Sequence, residues 1–134
     1  MIRRRMFRSN AVSIVYNFLM TNKTMDAIIE DNEFSTTVSD FITKFELDDE
    51  LLDACYRIEE RIDIYIPVIN SRLKGNWRFD RLGKMEQAIL LFALAELEQG
   101  IQDKTIIFNE AIELTKIFCD DDTYKLINGV LDSL

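Results

Sequence analysis

Apolar residues recur three and four positions apart along almost the whole chain, the spacing of a single helix face. Ala11, Val12, Val15, Phe18 and Leu19 form the first stripe. Thr24 stands as a cap for a short second helix holding Met25, Ile28 and Ile29. Phe34, Val38, Phe41, Ile42 and Phe45 mark a third. The longest stripe runs through Leu51, Leu52, Cys55, Ile58, Ile62, Tyr65, Ile66 and Ile69. Asp48 or Asp49 opens it, and acids suit the positive end of a helix. Pro67 has no N–H to donate, so a kink or an end is predicted near Ile64. A strongly apolar helix over 82–99 follows, stopped by Gly100. Thr105 is the predicted cap of a helix reaching Phe118. Asp120 or Asp121 caps a last one bearing Tyr124, Ile127, Val130, Leu131 and Leu134. The pattern predicts an all-α fold: a compact bundle of about seven helices, without strands, repeats or linkers, forming one domain over 1–134.

Composition agrees with that reading. One proline and four glycines leave little punctuation for many short strands. A chain of 134 residues is long enough to bury a real core. The longest apolar run, Ala88 to Ala95, falls far short of the ~18 residues of a membrane span. No small-residue cleavage pattern follows the basic start, so no signal peptide is expected, and a cytoplasmic location is. Cys55 and Cys119 form no CxxC pair and read as two buried, reduced thiols. The chain has no histidine, which removes His-based triads and the usual His-containing zinc and di-iron patterns. No metal or other cofactor is expected. Acid pairs at helical spacing, Glu59 with Asp63 and Glu110 with Glu113, read as solvated faces rather than catalytic carboxylates.

Charge changes the picture more. The net charge is −8, yet the chain opens with Arg3, Arg4, Arg5 and Arg8, and its first acid is Asp26. Without those arginines, 12 basic residues face 24 acidic ones, a remainder of −12. A second basic stretch, RLKGNWRFDRLGK, sets Arg72, Lys74, Arg78, Arg81 and Lys84 against Asp80, a local net of +4. Arginine presents a planar fork of donors that matches phosphate, so the first cluster suits RNA as well as it suits a solvated tail. Phe7, inside the cluster, reads as a core or helix-start residue, with base stacking as the alternative. Four phosphate contacts to a single strand would give a salt slope of roughly −3. That is modest, and the acidic remainder repels RNA. Weak binding by the chain alone, and a basic protein partner docked on the acidic body, are therefore expected.

The C-terminal half then carries three stretches in order: WRFDRLGKMEQAILLFALAEL, FNEAIELTKIF and DDTYKLINGVLD. The N-terminal half adds Arg4, Arg5, Arg8, Ala11 and Tyr16 at the spacing RR..R..A....Y. Together these resemble the NusB family of bacterial transcription antitermination factors, over residues 4–20 and 77–132. The resemblance implies two packed helical subdomains and a non-enzymatic role. It implies pairing with NusE, a small-subunit ribosomal protein, to bind boxA-type single-stranded RNA of nascent ribosomal RNA and help the RNA polymerase elongation complex resist termination. Carried over position by position, Arg4, Arg5, Arg8 and Lys125 become RNA-binding candidates. Tyr16, Glu96, Asp122 and Leu126 become partner-binding candidates, each with core packing, capping or plain solvation as the structural alternative. Asn109-Glu110 and Asn128-Gly129 read as fold residues, with Gly129 admitting a close helix approach, and Trp77 reads as a core anchor.

Three positions depart from the family pattern. Cys119 replaces a helix-ending glycine and should be strained there. Leu91 replaces an arginine and Ala95 a tyrosine, which reshapes the expected partner surface. A helical protein–protein adaptor without RNA binding is the competing reading, and a homodimer is compatible with either. The related ribosomal RNA methyltransferases need a further domain with a glycine-rich cofactor loop, which these four scattered glycines are not expected to supply.

Overall fold

The computed structural model describes residues 2–38 and 49–134, with side chains for 5–31 and 49–134. Six α-helices and one short 3-10 turn appear among the described residues: α1 (Ile2–Met20), α2 (Met25–Val38), α3 (Asp49–Arg72), the turn Phe79–Arg81, α4 (Lys84–Gln99), α5 (Lys104–Phe118) and α6 (Asp121–Asp132). The all-α expectation holds, with six α-helices among the described residues where about seven were predicted. Residues 25–38 form a single helix where two were expected, because no glycine or proline lies between them to break it. The rest of the predicted 34–45 helix, and the Asp48 cap, lie outside the described residues.

The central element is α4. From Gln87 to Glu96 every residue is buried, so this helix is covered on all sides. It packs against α1 and α3 from the first half and α5 and α6 from the second. The two groups of helices therefore share one core, in which Val12, Ile14, Val15, Leu51, Ile58 and Ile69 meet Ile89, Leu90, Phe92, Ile107, Ile127 and Leu131. Phe7 belongs to this core, as expected.

Helix ends follow local chemistry in some places and not in others. Thr24 does cap α2: its Oγ1 accepts the Ala27 N–H at 3.2 Å, and Glu59 accepts the Met25 N–H at 2.7 Å. Gly100 ends α4 in the left-handed region (φ 67°), as its position predicted. Thr105 is not a cap, because α5 already starts at Lys104 after Asp103. Asp120 precedes α6, but its carboxylate accepts the Thr123 hydroxyl at 2.8 Å instead of a backbone N–H.

Four local expectations are corrected. Pro67 does not end α3, which continues to Arg72. Pro67 and Asp63 are both exposed, so the Asp63 carbonyl left without its helical donor can be hydrated. Cys119 is unstrained: φ −126° and ψ 163° are extended backbone, and its N–H closes α5 onto the Thr115 carbonyl at 2.8 Å. Cys55 is buried, but Cys119 only partly so. Gly129 meets no close helix, for a Cβ built there has nothing within 4 Å.

Candidate nucleic-acid and partner interface

The arginine-bearing end of α1 lies over α4 and α5, and acids on those two helices meet it. Arg8 is buried. Its Nε and Nη2 donate to Glu96 Oε1 and Oε2, each at 2.9 Å, across 88 residues of sequence. The two side chains are only 4% and 3% exposed. They sit among Val12, Ile89, Phe92, Ala93, Ile107, Ala111 and Leu114, an apolar cage between α1, α4 and α5. In such surroundings an unpaired charge is costly, and a two-pronged fork is the geometry that offsets it. Arg8 therefore does not offer its guanidinium to RNA in this structure, nor Glu96 its carboxylate to a partner: each is taken by the other.

One helical turn earlier, Arg5 repeats the arrangement at the surface. Its Nε donates to Glu110 Oε2 at 2.9 Å and its Nη2 to Oε1 at 3.2 Å. The hydrogen bond from Arg5 to Glu110 raises the arginine's already high pKa. The Arg5 side chain is still 53% exposed, so part of its fork remains open to solvent. The pairing with Arg5 suits Glu110 as a fold residue and places it beside the basic end. The side chains of Arg3 and Arg4 lie outside the described residues.

The remaining candidates are spread over two helices. Tyr16 is half-buried against the core, on α1. Asp122, Lys125 and Leu126 share one face of α6 at i, i+3, i+4 spacing. Asp122 and Lys125 are exposed, whereas Leu126 is half-buried and packs on the core. Lys116 adds its cation 5.7 Å from the Tyr124 ring beside that face. No hydrogen bond or ion pair joins Lys125 to the arginine end among the described residues.

A separate acid-centred cluster ties α3 to α4. Tyr65 donates its hydroxyl to Glu98 Oε1 at 2.8 Å, with Arg57 Nη1 at 3.3 Å and Arg61 Nε at 2.7 Å from the same oxygen. Burial works to raise the Glu98 pKa, but these donors outweigh it and hold the carboxyl below its ordinary value. Nearby, Gln99 and Arg57 donate to Asp53 and lower its pKa too. The cysteines show the opposite effect. Burial pushes Cys55 up to about 12, and burial with Glu86 and Asp120 pushes Cys119 up to about 11. Neither is a poised nucleophile. Among the described residues no group of three acids or cysteines is placed to hold a metal ion, and no helix is long and apolar enough to cross a membrane.

Trp77 contradicts its predicted place in the core. It is 47% exposed, on the connection between α3 and α4. Phe79 and Leu82 are the anchors of that segment instead.

Comparison with known proteins places the fold. The transcription antitermination protein NusB of Sulfurimonas denitrificans is 32% identical over 139 residues, covering 100% of this chain and 97% of its own length. The solved structure of T. maritima NusB superposes with a TM-score of 0.76 over 97% of this chain and 88% of that one, at 20% identity. A solved complex of the antitermination factors NusB and NusE with double-stranded RNA contains a chain matching with a TM-score of 0.74 at 19% identity, over 99% of this chain and 96% of that one. The NusB family model matches residues 5–134, from the exposed Arg5 fork to the end of α6 and beyond, and the chain belongs to the NusB family.

Proposed function

We propose that this chain is a transcription antitermination factor that binds boxA-type RNA of nascent ribosomal RNA transcripts together with NusE and helps RNA polymerase resist termination in the cytoplasm. The observation that carries the reading is family membership over residues 5–134, which takes in the first helix from Arg5 onward, Arg8 included. In this reading Arg4, Arg5 and Lys125 meet RNA, while Tyr16, Asp122 and Leu126 meet NusE. Arg8 and Glu96 act one step back: their buried fork fixes the end of α1 on α4 and so aims the outer arginines. With Arg8 withdrawn, three cations, Arg4, Arg5 and Lys125, account for a single-strand salt slope of about −2 rather than −3. Docking of a basic ribosomal protein on a body of net negative charge then supplies the rest of the RNA surface.

A second reading, a protein adaptor without specific RNA binding, is favoured by one observation: Arg5 and Arg8 already hold carboxylates. A gel shift of boxA RNA with this chain, with NusE and with both separates the two. The expected result is weak binding by either protein alone, a much tighter complex with both, and loss at high salt. Equal affinity for an unrelated RNA of the same length contradicts the specific role.

A further inference from the structure

The connection between α3 and α4 is a built platform that the reading above does not use. A turn closes with the Trp77 N–H on the Lys74 carbonyl at 3.3 Å, and Gly75 takes φ 65° within it, a conformation that side-chain-bearing residues rarely adopt. The segment is pinned from beneath. The Phe79 N–H donates to Asn70 Oδ1 at 2.7 Å, and the buried Gln87 amide donates to the Phe79 and Leu82 carbonyls at 2.8 and 3.1 Å. Above these anchors, Trp77 stands exposed in an open concavity with Gly75, Asn76 and Arg81, and Arg81 Nη1 donates to the Asn76 carbonyl at 3.3 Å.

The charge around the indole is one-sided. Arg72, Lys74, Arg78, Arg81 and Lys84 are all exposed, and none forms an ion pair among the described residues. The acids nearby are Asp80, exposed in the same segment, and Glu86, which lies against Gly83. This stretch and the N-terminal cluster hold nine of the chain's 16 basic residues. Arg5 and Arg8 of α1 are matched by Glu110 and Glu96, whereas the cations around Trp77 have no such match among the described residues. An aromatic face framed by unmatched cations is the surface that single-stranded nucleic acid uses, with a base on the ring and phosphates on the cations.

We infer that Trp77, Lys74, Arg78 and Arg81 form a second contact for single-stranded RNA, at the opposite end of α4 from the Arg8–Glu96 pair. The inference rests on the RNA-binding reading and extends it to a longer stretch of transcript. Lys84 and Glu96 are twelve residues apart on one helix, about 18 Å, so the two contacts engage different nucleotides of one strand.

Trp77 is the sole tryptophan, so intrinsic fluorescence reports on this site alone. The probe is a uridine-rich RNA of about 16 nucleotides, long enough to cover both contacts. Addition to the chain at low salt is expected to quench and shift the tryptophan emission. By anisotropy of labelled RNA, with NusE present, Trp77→Ala is expected to weaken binding about tenfold and Trp77→Phe much less. The pair Arg78→Ala, Arg81→Ala is expected to reduce the salt slope by about 1.4. Unchanged helical circular dichroism confirms that these exposed changes leave the fold intact. RNA that binds with emission unchanged, and with Trp77→Ala within twofold of the parent, overturns this contact and leaves the RNA reading standing. Absence of RNA binding by the parent overturns both. Variants that bind RNA normally but lose a protein factor make the patch a protein interface and also overturn the inference.

Discussion

Arg8 and Glu96 show how far a single residue's role depends on what folding brings to it. Both are charged, and the sequence offers no local reason to bury either. Their meeting is a tertiary event between α1 and α4 that no helical period encodes. Removing one member strands a charge in an apolar cage, so Glu96→Met is expected to cost about 3–5 kcal/mol in urea unfolding. The double variant Arg8→Met, Glu96→Met is expected to recover most of that loss, because no unpaired charge remains. A double variant no more stable than the single one contradicts the isolated-pair account. Trp77 fails in the other direction. Its size argued for the core, but the turn at Gly75 presents it to solvent while Phe79 and Leu82 fill the space beneath. Aromatic identity alone does not say which side of a loop a ring will take.

Elements were more legible than residues. The stripes of α1, α3 and α6 were readable because burial follows the period of 3.6 residues, and Ile58, Ile69, Ile127 and Val130 are buried as their spacing required. The breaks were less legible, since a proline or glycine has a local cost whose outcome depends on packing. Pro67 sits on the solvent side of α3, where the lost hydrogen bond is tolerated rather than decisive. Pro67→Ala restores that bond and is expected to raise stability by about 1–3 kcal/mol in thermal or urea unfolding. A loss of stability instead means that α3 packs through a bend the proline imposes. Gly129 is helical with open space where a Cβ would go, so Gly129→Ala is expected to add about 1 kcal/mol. Destabilisation there would restore the close approach first expected from the sequence.

At the scale of the molecule, charge organisation was visible early and its internal compensation was not. The basic start and the acidic remainder are counts along a line, while the Glu110 and Glu96 partners appear only when α4 and α5 fold beneath α1. The same folding places Asp53 and Glu98 among donors from α3 and α4. Both carboxyls are held below their ordinary values of 3.8 and 4.5. They therefore stabilise the fold above those values, and that contribution is lost as pH falls through the lowered pKa values of the folded state. The thermal midpoint is expected to fall on acidification below about pH 4.5, and Glu98→Gln is expected to flatten part of that decline. An acid limb identical in the variant would remove Glu98 from the explanation.

The central claim is a division of labour: a cationic helix start grips a transcript while an acidic body recruits a basic partner. Its most direct test is the affinity of the NusE-bound chain for boxA RNA before and after Arg4→Ala with Arg5→Ala, with NusE retention measured in parallel. The account predicts at least a tenfold loss of RNA affinity, a salt slope shallower by about 1.4, and undiminished NusE binding. Unchanged RNA affinity and slope, with NusE still bound, would contradict it.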